Sequence, residues 1–186
     1  LKEILDSQPD SFSLAEQIAI ANQITRAVEI LNVAGILHRD VKPANIMINR
    51  DTGWVKLLDL GLGKDLNAGD ESLMTDMGVV VGTPEYLSPE QGSGQITEQS
   101  DIFSLGVTLY QFLLGQKYSP FKGSSNISTL VNIMTKSLPS LSDKIQDKFS
   151  QSGHGLTVEE VEAYTMLSQI IAKATNKNPS QRFATA

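Results

Sequence analysis

Apolar residues recur at three- and four-residue steps through Leu14, Ile18, Ala21, Ile24, Val28 and Leu31, which places them on one face of a helix. Ser13 and Glu16 stand before that run as a capping box, and Gly35 can close it. Residues 1–12 read as the end of a helix followed by a polar turn. Beyond a polar cluster, two short β-rich runs at 46–48 and 55–58 flank Asn49-Arg50-Asp51-Thr52-Gly53, turn formers that predict a hairpin. Residues 62–82 carry four glycines and many small or polar side chains, and read as a mobile loop. Behind a cap at Thr97, the residues Ile102, Leu105, Val107, Leu109, Phe112 and Leu113 are too evenly apolar for a surface helix. They predict a buried central helix ended by Gly115.

Residues 127–136 predict a short helix. The polar stretch 139–156 fits either an exposed helical turn bearing Asp143, Lys144, Asp147 and Lys148 or a loose insertion, with His154 as a surface loop residue. A second capping box, Thr157 and Glu160, precedes a core face of Val161, Tyr164, Leu167, Ile170, Ile171 and Ala174 that runs up to Pro179. The result is a mainly α chain with one small β-hairpin.

At 186 residues, 40% apolar and 19% charged, the chain suits a single sizeable core. A net charge of −6 provides no global basic field for nucleic acid or anionic lipid. The absence of cysteine excludes disulfides and thiolate metal sites and fits a reducing compartment, so a cytoplasmic location is expected. No apolar run approaches the roughly 20 residues that cross a bilayer, and Lys2, Glu3 and Asp6 do not suit a signal peptide. A start at Leu1 suggests a piece of something longer.

The polar cluster is His38-Arg39-Asp40-Val41-Lys42-Pro43-Ala44-Asn45. Taken singly, Asp40 and Asn45 read as caps of backbone amides and His38 as a core histidine. Taken together, a carboxylate, a cation and an amide oxygen are what phosphoryl transfer requires to orient a hydroxyl, neutralise a phosphate and ligate magnesium. Two further stretches follow in order, Asp59-Leu60-Gly61 directly after the second predicted strand and Gly82-Thr83-Pro84-Glu85-Tyr86-Leu87-Ser88-Pro89-Glu90. This series resembles the catalytic loop, the Asp-Phe-Gly motif and the end of the activation segment of the eukaryotic-type Ser/Thr protein kinase family, and Pro-Glu-Gln at 89–91 leans toward its bacterial branch.

The resemblance implies a protein-kinase-like large (C-terminal) lobe over residues 1–186, using ATP and Mg2+ and acting on a Ser or Thr hydroxyl of a protein. It implies Asp40 as base and Lys42 as support for the γ-phosphate. Asn45 and Asp59 become magnesium ligands, and Met47 the floor of the adenine pocket. Thr83 would bond toward Asp40 and Lys42, Tyr86 and Leu87 would meet the substrate, and Thr75 (ahead of Ser72) would be phosphorylated, with Arg39 as its partner. His38, Arg39 and Asp101 would support the loop, and Glu90 would form a buried ion pair with Arg182. Leu60 replaces the usual Phe and Ser88 the usual Ala.

No glycine-rich phosphate loop and no strand Lys precede His38, so the small lobe is expected to be absent from this chain and the piece alone to be inactive and either aggregation-prone or dependent on a partner. The alternative is a non-catalytic kinase-like interaction module. A small-molecule phosphotransferase is disfavoured by the stretch 82–90, which by the resemblance serves peptide acceptors.

Overall fold

The computed structural model describes residues 1–59, 84–153 and 155–186; Leu60, Ser72, Thr75, Thr83 and His154 lie outside the described residues. A short helix α1 (Lys2–Ser7) and a long helix α2 (Leu14–Val33) lead into the hairpin β1 (Ile46–Ile48) and β2 (Val55–Leu57). Helices α3 (Glu98–Leu114), α4 (Asn126–Thr135), α5 (Leu141–Gln151) and α6 (Val158–Ala174) complete the described elements, with 3-10 turns at Pro43–Asn45, Pro84–Tyr86, Pro89–Ser93 and Pro179–Gln181.

Both expected capping boxes form. The Ser13 amide donates to Glu16 Oε2 at 2.8 Å and the Thr157 amide to Glu160 Oε2 at 2.9 Å. Helix α2 stops at Ala34, and Gly35 follows in the left-handed region at φ 71°. The hairpin is antiparallel, with Ile46 opposite Leu57 and Ile48 opposite Val55. Gln23 of α2 fixes it: its Oε1 accepts from the Val55 amide at 3.1 Å and its Nε2 donates to the Gly53 carbonyl at 2.9 Å.

Helix α3 is the axis of the fold, buried from Ser100 to Leu114. On one side Leu105, Leu109, Phe112 and Leu113 pack with Ile20, Ile24 and Val28 of α2 and with Tyr164 and Ile171 of α6. On another side Phe103 and Val107 join Phe121 and Ile133 in a second cluster, against which Tyr86 rests. Gly106 faces the C-terminal end of α6; a β-carbon there would lie 2.8 Å from Thr175 Cγ2 and 3.0 Å from Ala174 Cβ. Gly115 ends the helix at φ 64°.

The stretch 139–156 resolves in favour of a helix. Leu141 and Ile145 of α5 bury one turn apart, and Lys148 reaches across to Asp10 and to the Leu114 carbonyl. Two readings of the apolar pattern need correction. Ile170 is 47% exposed while Ile171 is buried, because consecutive helical residues point about 100° apart and only one can face α3. On α2 the buried face also takes in two polar residues, Gln17 and Asn32. Gln17 is satisfied there, accepting from the Tyr164 hydroxyl at 3.2 Å and donating to the Leu113 carbonyl. Among the described residues no helix is long and apolar enough to cross a membrane.

Candidate active site

The loop between α2 and β1 is held from beneath by Asp101, in the first turn of α3. This carboxylate is 1% exposed and accepts from the backbone amides of His38 and Arg39, both at 2.7 Å. Burial pushes its carboxyl above the ordinary range, and the two amides oppose that without cancelling it. The grip has a conformational role, since Arg39 is in the left-handed region at φ 65°, where a side chain costs of order 1–3 kcal/mol. Fully buried His38 sets Nε2 2.9 Å from the Leu58 carbonyl and accepts at Nδ1 from the Asp40 amide at 3.3 Å. Those partners assign the proton to Nε2. Thr108 adds a bond to the Val41 carbonyl at 3.3 Å.

So held, the loop brings three predicted residues together. Asn45 Nδ2 donates to the Asp40 carbonyl at 2.8 Å and to its Oδ2 at 3.0 Å, and Lys42 Nζ lies 2.7 Å from the same Oδ2. Asp59 arrives through the hairpin. Leu58 leaves the ladder one residue earlier than its apolar character predicts, and its amide donates to the Asn45 carbonyl at 2.8 Å. Asp59 follows at φ 53°, a second non-glycine residue in the left-handed region beside the loop. Met47, on β1, is 54% exposed.

The donor set suits a hard cation. Both Asn45 amide hydrogens go to Asp40, which leaves its oxygen as the coordinating atom, and Asp59 brings a carboxylate from the neighbouring strand end. Carboxyl and amide oxygens without thiolate or imidazole are what magnesium takes. Asn45 and Asp59 are thus the residues that would hold it.

A second group of residues forms a platform against α3. The Tyr86 hydroxyl donates to Gln111 Oε1 at 2.7 Å, and burial pushes its ionisation well above the ordinary tyrosine range. Ser104 Oγ donates to the Tyr86 carbonyl and Ser119 Oγ to the Glu85 carbonyl, both at 2.7 Å. Glu90 meets Arg182 in the expected buried pair, joined by Ser100 Oγ at 2.8 Å. Burial raises the Glu90 carboxyl, but the bonds from Arg182, its own backbone, Ser100 and Ser88 outweigh it and hold the group below its ordinary range.

The sequence pattern did not single out Ser100, Ser104, Thr108 and Gln111, yet they anchor these segments. Their spacing of four, four and three residues draws a polar stripe along the central helix, a signal that a search for apolar periodicity passes over. Each member of the stripe hydrogen-bonds a segment outside α3: Glu90, the Tyr86 carbonyl, the Val41 carbonyl and the Tyr86 hydroxyl, in that order.

Comparison with known proteins bears on this arrangement. A family model described as the protein kinase domain matches residues 1–186. The chain is 36% identical over 172 residues to the serine/threonine-protein kinase PknB of Mycobacterium leprae, covering 92% of this chain and 24% of that protein. It is 32% identical over 174 residues to the serine/threonine-protein kinase pkn3 of Myxococcus xanthus, covering 91% and 29%. Against the probable serine/threonine-protein kinase PknB of Corynebacterium glutamicum it is 33% identical over 187 residues, covering 100% and 26%. The chain thus spans 24–29% of the length of these relatives. Family match and relatives agree, and the chain belongs to the protein kinase domain family.

Proposed function

We propose that residues 1–186 form the large lobe of a Ser/Thr protein kinase, which transfers the γ-phosphate of ATP to a Ser or Thr hydroxyl of a protein. The observation that supports this best is the meeting of Asp40 with Lys42 and Asn45 on one loop, at the foot of the hairpin that leads to Asp59. Asp40 orients the acceptor hydroxyl and takes its proton as the oxygen attacks. Lys42, paired with Asp40 at 2.7 Å, lies within reach to compensate charge on the transferred phosphoryl group. Magnesium and ATP, when bound, supply the leaving group and most of that charge compensation; Asn45 and Asp59 would hold the metal. Met47 offers an exposed apolar surface to the adenine from below, and Tyr86 lines the platform for the acceptor peptide. Thr83, and Thr75 as a phosphorylation site, remain part of the reading by resemblance.

In this reading a small lobe with a phosphate-binding Lys completes the nucleotide site, and the 186-residue chain alone has negligible activity. Incubating the full-length protein with radiolabelled ATP, magnesium and a protein substrate tests the reading. Asp40→Asn is expected to lower transfer by about 10²–10⁴-fold, and Asp59→Ala, which removes a magnesium ligand, to lower transfer at every magnesium concentration tested. Label transfer that persists undiminished in Asp40→Asn sinks the catalytic assignment and favours a binding module.

A further inference from the structure

We propose that Gln23 is a positioning residue for Asp59: its side-chain amide stands in for a third strand along the outer edge of β2, and ties the strand that delivers Asp59 to the helix that leads to Asp40. The consequence for magnesium rests on the function proposed above; the tie itself does not.

A hairpin of two three-residue strands is marginal without support from another element. The inner edge of β2 is spent on β1, from the Asn49 amide donating to the Trp54 carbonyl to the Leu58 amide donating to the Asn45 carbonyl, both at 2.8 Å. Backbone groups of successive strand residues point to opposite edges, so the Gly53 carbonyl and the Val55 amide face outward, where a neighbouring strand would otherwise satisfy them. Gln23 meets both. Its Nε2 donates to the Gly53 carbonyl at 2.9 Å and its Oε1 accepts from the Val55 amide at 3.1 Å. Nε2 also lies 3.5 Å from the Ala19 carbonyl one turn back on α2, so turning the amide over would set its oxygen against two carbonyls.

The tie reaches the site because β2 is short. Only Lys56, Leu57 and Leu58 separate Val55 from Asp59, whose φ of 53° is a conformation that persists in a non-glycine residue only where its surroundings over-determine it. Leu58 is held at the far end of the strand by Asn45 and by His38 Nε2, 2.9 Å from its carbonyl, and Gln23 holds the near end. Helix α2 runs on from Gln23 to Val33 and opens into the loop of Asp40. One helix therefore governs both carboxylates, Asp40 through the chain and Asp59 through a side chain. Arg50 grips the hairpin elsewhere: from the turn it bonds Gln8 and Ser11 and lies 5.1 Å from the ring centre of Phe12, without touching the outer edge of β2.

That difference supplies the control. Variants of the full-length protein are read by backbone amide exchange over residues 49–59 without ligands, and by the dissociation constant of Mn2+, a paramagnetic substitute for magnesium, in the presence of a non-hydrolysable ATP analogue. Gln23→Met keeps the length of the side chain and removes both bonds, so exchange over 55–59 should quicken and the Mn2+ constant should rise, each by about tenfold. Gln23→Glu keeps the acceptor for Val55 and loses the donor to Gly53, and should recover part of the protection. Arg50→Met should quicken exchange over 49–53 and leave both 55–59 and the Mn2+ constant as in the wild type. This pattern establishes the role. Unchanged exchange over 55–59 in Gln23→Met, an unchanged Mn2+ constant there, or an equal loss of Mn2+ affinity in Arg50→Met overturns it. Should the wild type bind no Mn2+ with the analogue while 55–59 opens in Gln23→Met and not in Arg50→Met, the proposed function falls and the tie between α2 and β2 stands.

Discussion

Glu90 and Arg182, 92 positions apart in sequence, meet through two parallel hydrogen bonds of 2.7 and 2.8 Å, with the arginine side chain fully buried. Arg182 also donates to the carbonyls of Asn176 and Gln99, both at 2.7 Å, so it ties the platform, the start of α3 and the C-terminal turn into one knot. Removing one member of such a pair leaves a buried charge behind, and Arg182→Ala is expected to cost about 3–5 kcal/mol by urea denaturation. Glu90 ionises below its ordinary range in the folded state, so its stabilisation is present above the unfolded value and lost as pH falls through the folded one. The acid-induced loss of stability should therefore flatten in Glu90→Gln, compared at matched temperatures.

Lys177 supplies a pH dependence of the other kind. Its Nζ lies 4.3 Å from the ring centre of Phe121 and 5.1 Å from that of Phe103, with no hydrogen-bond partner, and burial and then the charge of Arg182 bring it down to about 8. The unfolded chain holds this proton up to about pH 10.4, so between the two values it binds more protons than the folded chain. Stability should rise with pH across that window and show no Lys177 contribution to the slope below it. Burial holds Tyr86, Tyr110 and Tyr164 above their ordinary values, which acts in the opposite direction above about pH 10. Denaturation midpoints from pH 7.5 to 9.5 isolate the lysine, and Lys177→Met should remove the rise; an identical slope in that variant contradicts the assignment.

Gly106 is required by proximity rather than by conformation. The α3–α6 contact leaves no room for a β-carbon, with Thr175 and Ala174 at 2.8 and 3.0 Å. Gly106→Ala should lower stability by about 1–3 kcal/mol through overpacking, despite alanine's better helix propensity. A thermal midpoint equal to or above that of the wild type would show that the two helices part freely.

Gln111 joins the Tyr86 hydroxyl to the turn after α3, donating to the carbonyls of Gln116 at 3.0 Å and Lys117 at 3.2 Å. Gln111→Leu keeps the volume and strands those groups, at about 1–3 kcal/mol. On the function proposed above, the stranded groups belong to the surface that meets the acceptor, so the KM for a protein substrate should rise while the KM for ATP stays constant. Equal change in both constants argues against a local effect.

Much of this molecule can be read before any coordinates. Capping boxes at Ser13 and Thr157, the hairpin turn at 49–53 and the stop at Gly115 are written in neighbouring residues, because each depends on local hydrogen bonds and backbone preference. The partnership of Glu90 with Arg182 and the grip of Asp101 on the loop were legible for another reason: spaced motifs matched a family pattern. The unpartnered Asn32, the polar stripe of Ser100, Ser104, Thr108 and Gln111, and the outward turn of Ile170 were not.

Local order in this chain follows from its amino acids alone, since a cap or a turn is decided within a few residues of itself. Which polar groups are buried, and against what, depends on how α3 is surrounded by segments as far away as residues 38–42 and 174–182. Desolvation and hydrogen-bond completion are properties of the packed interior, so only the folded chain settles that serine, threonine and glutamine belong on its most deeply buried helix.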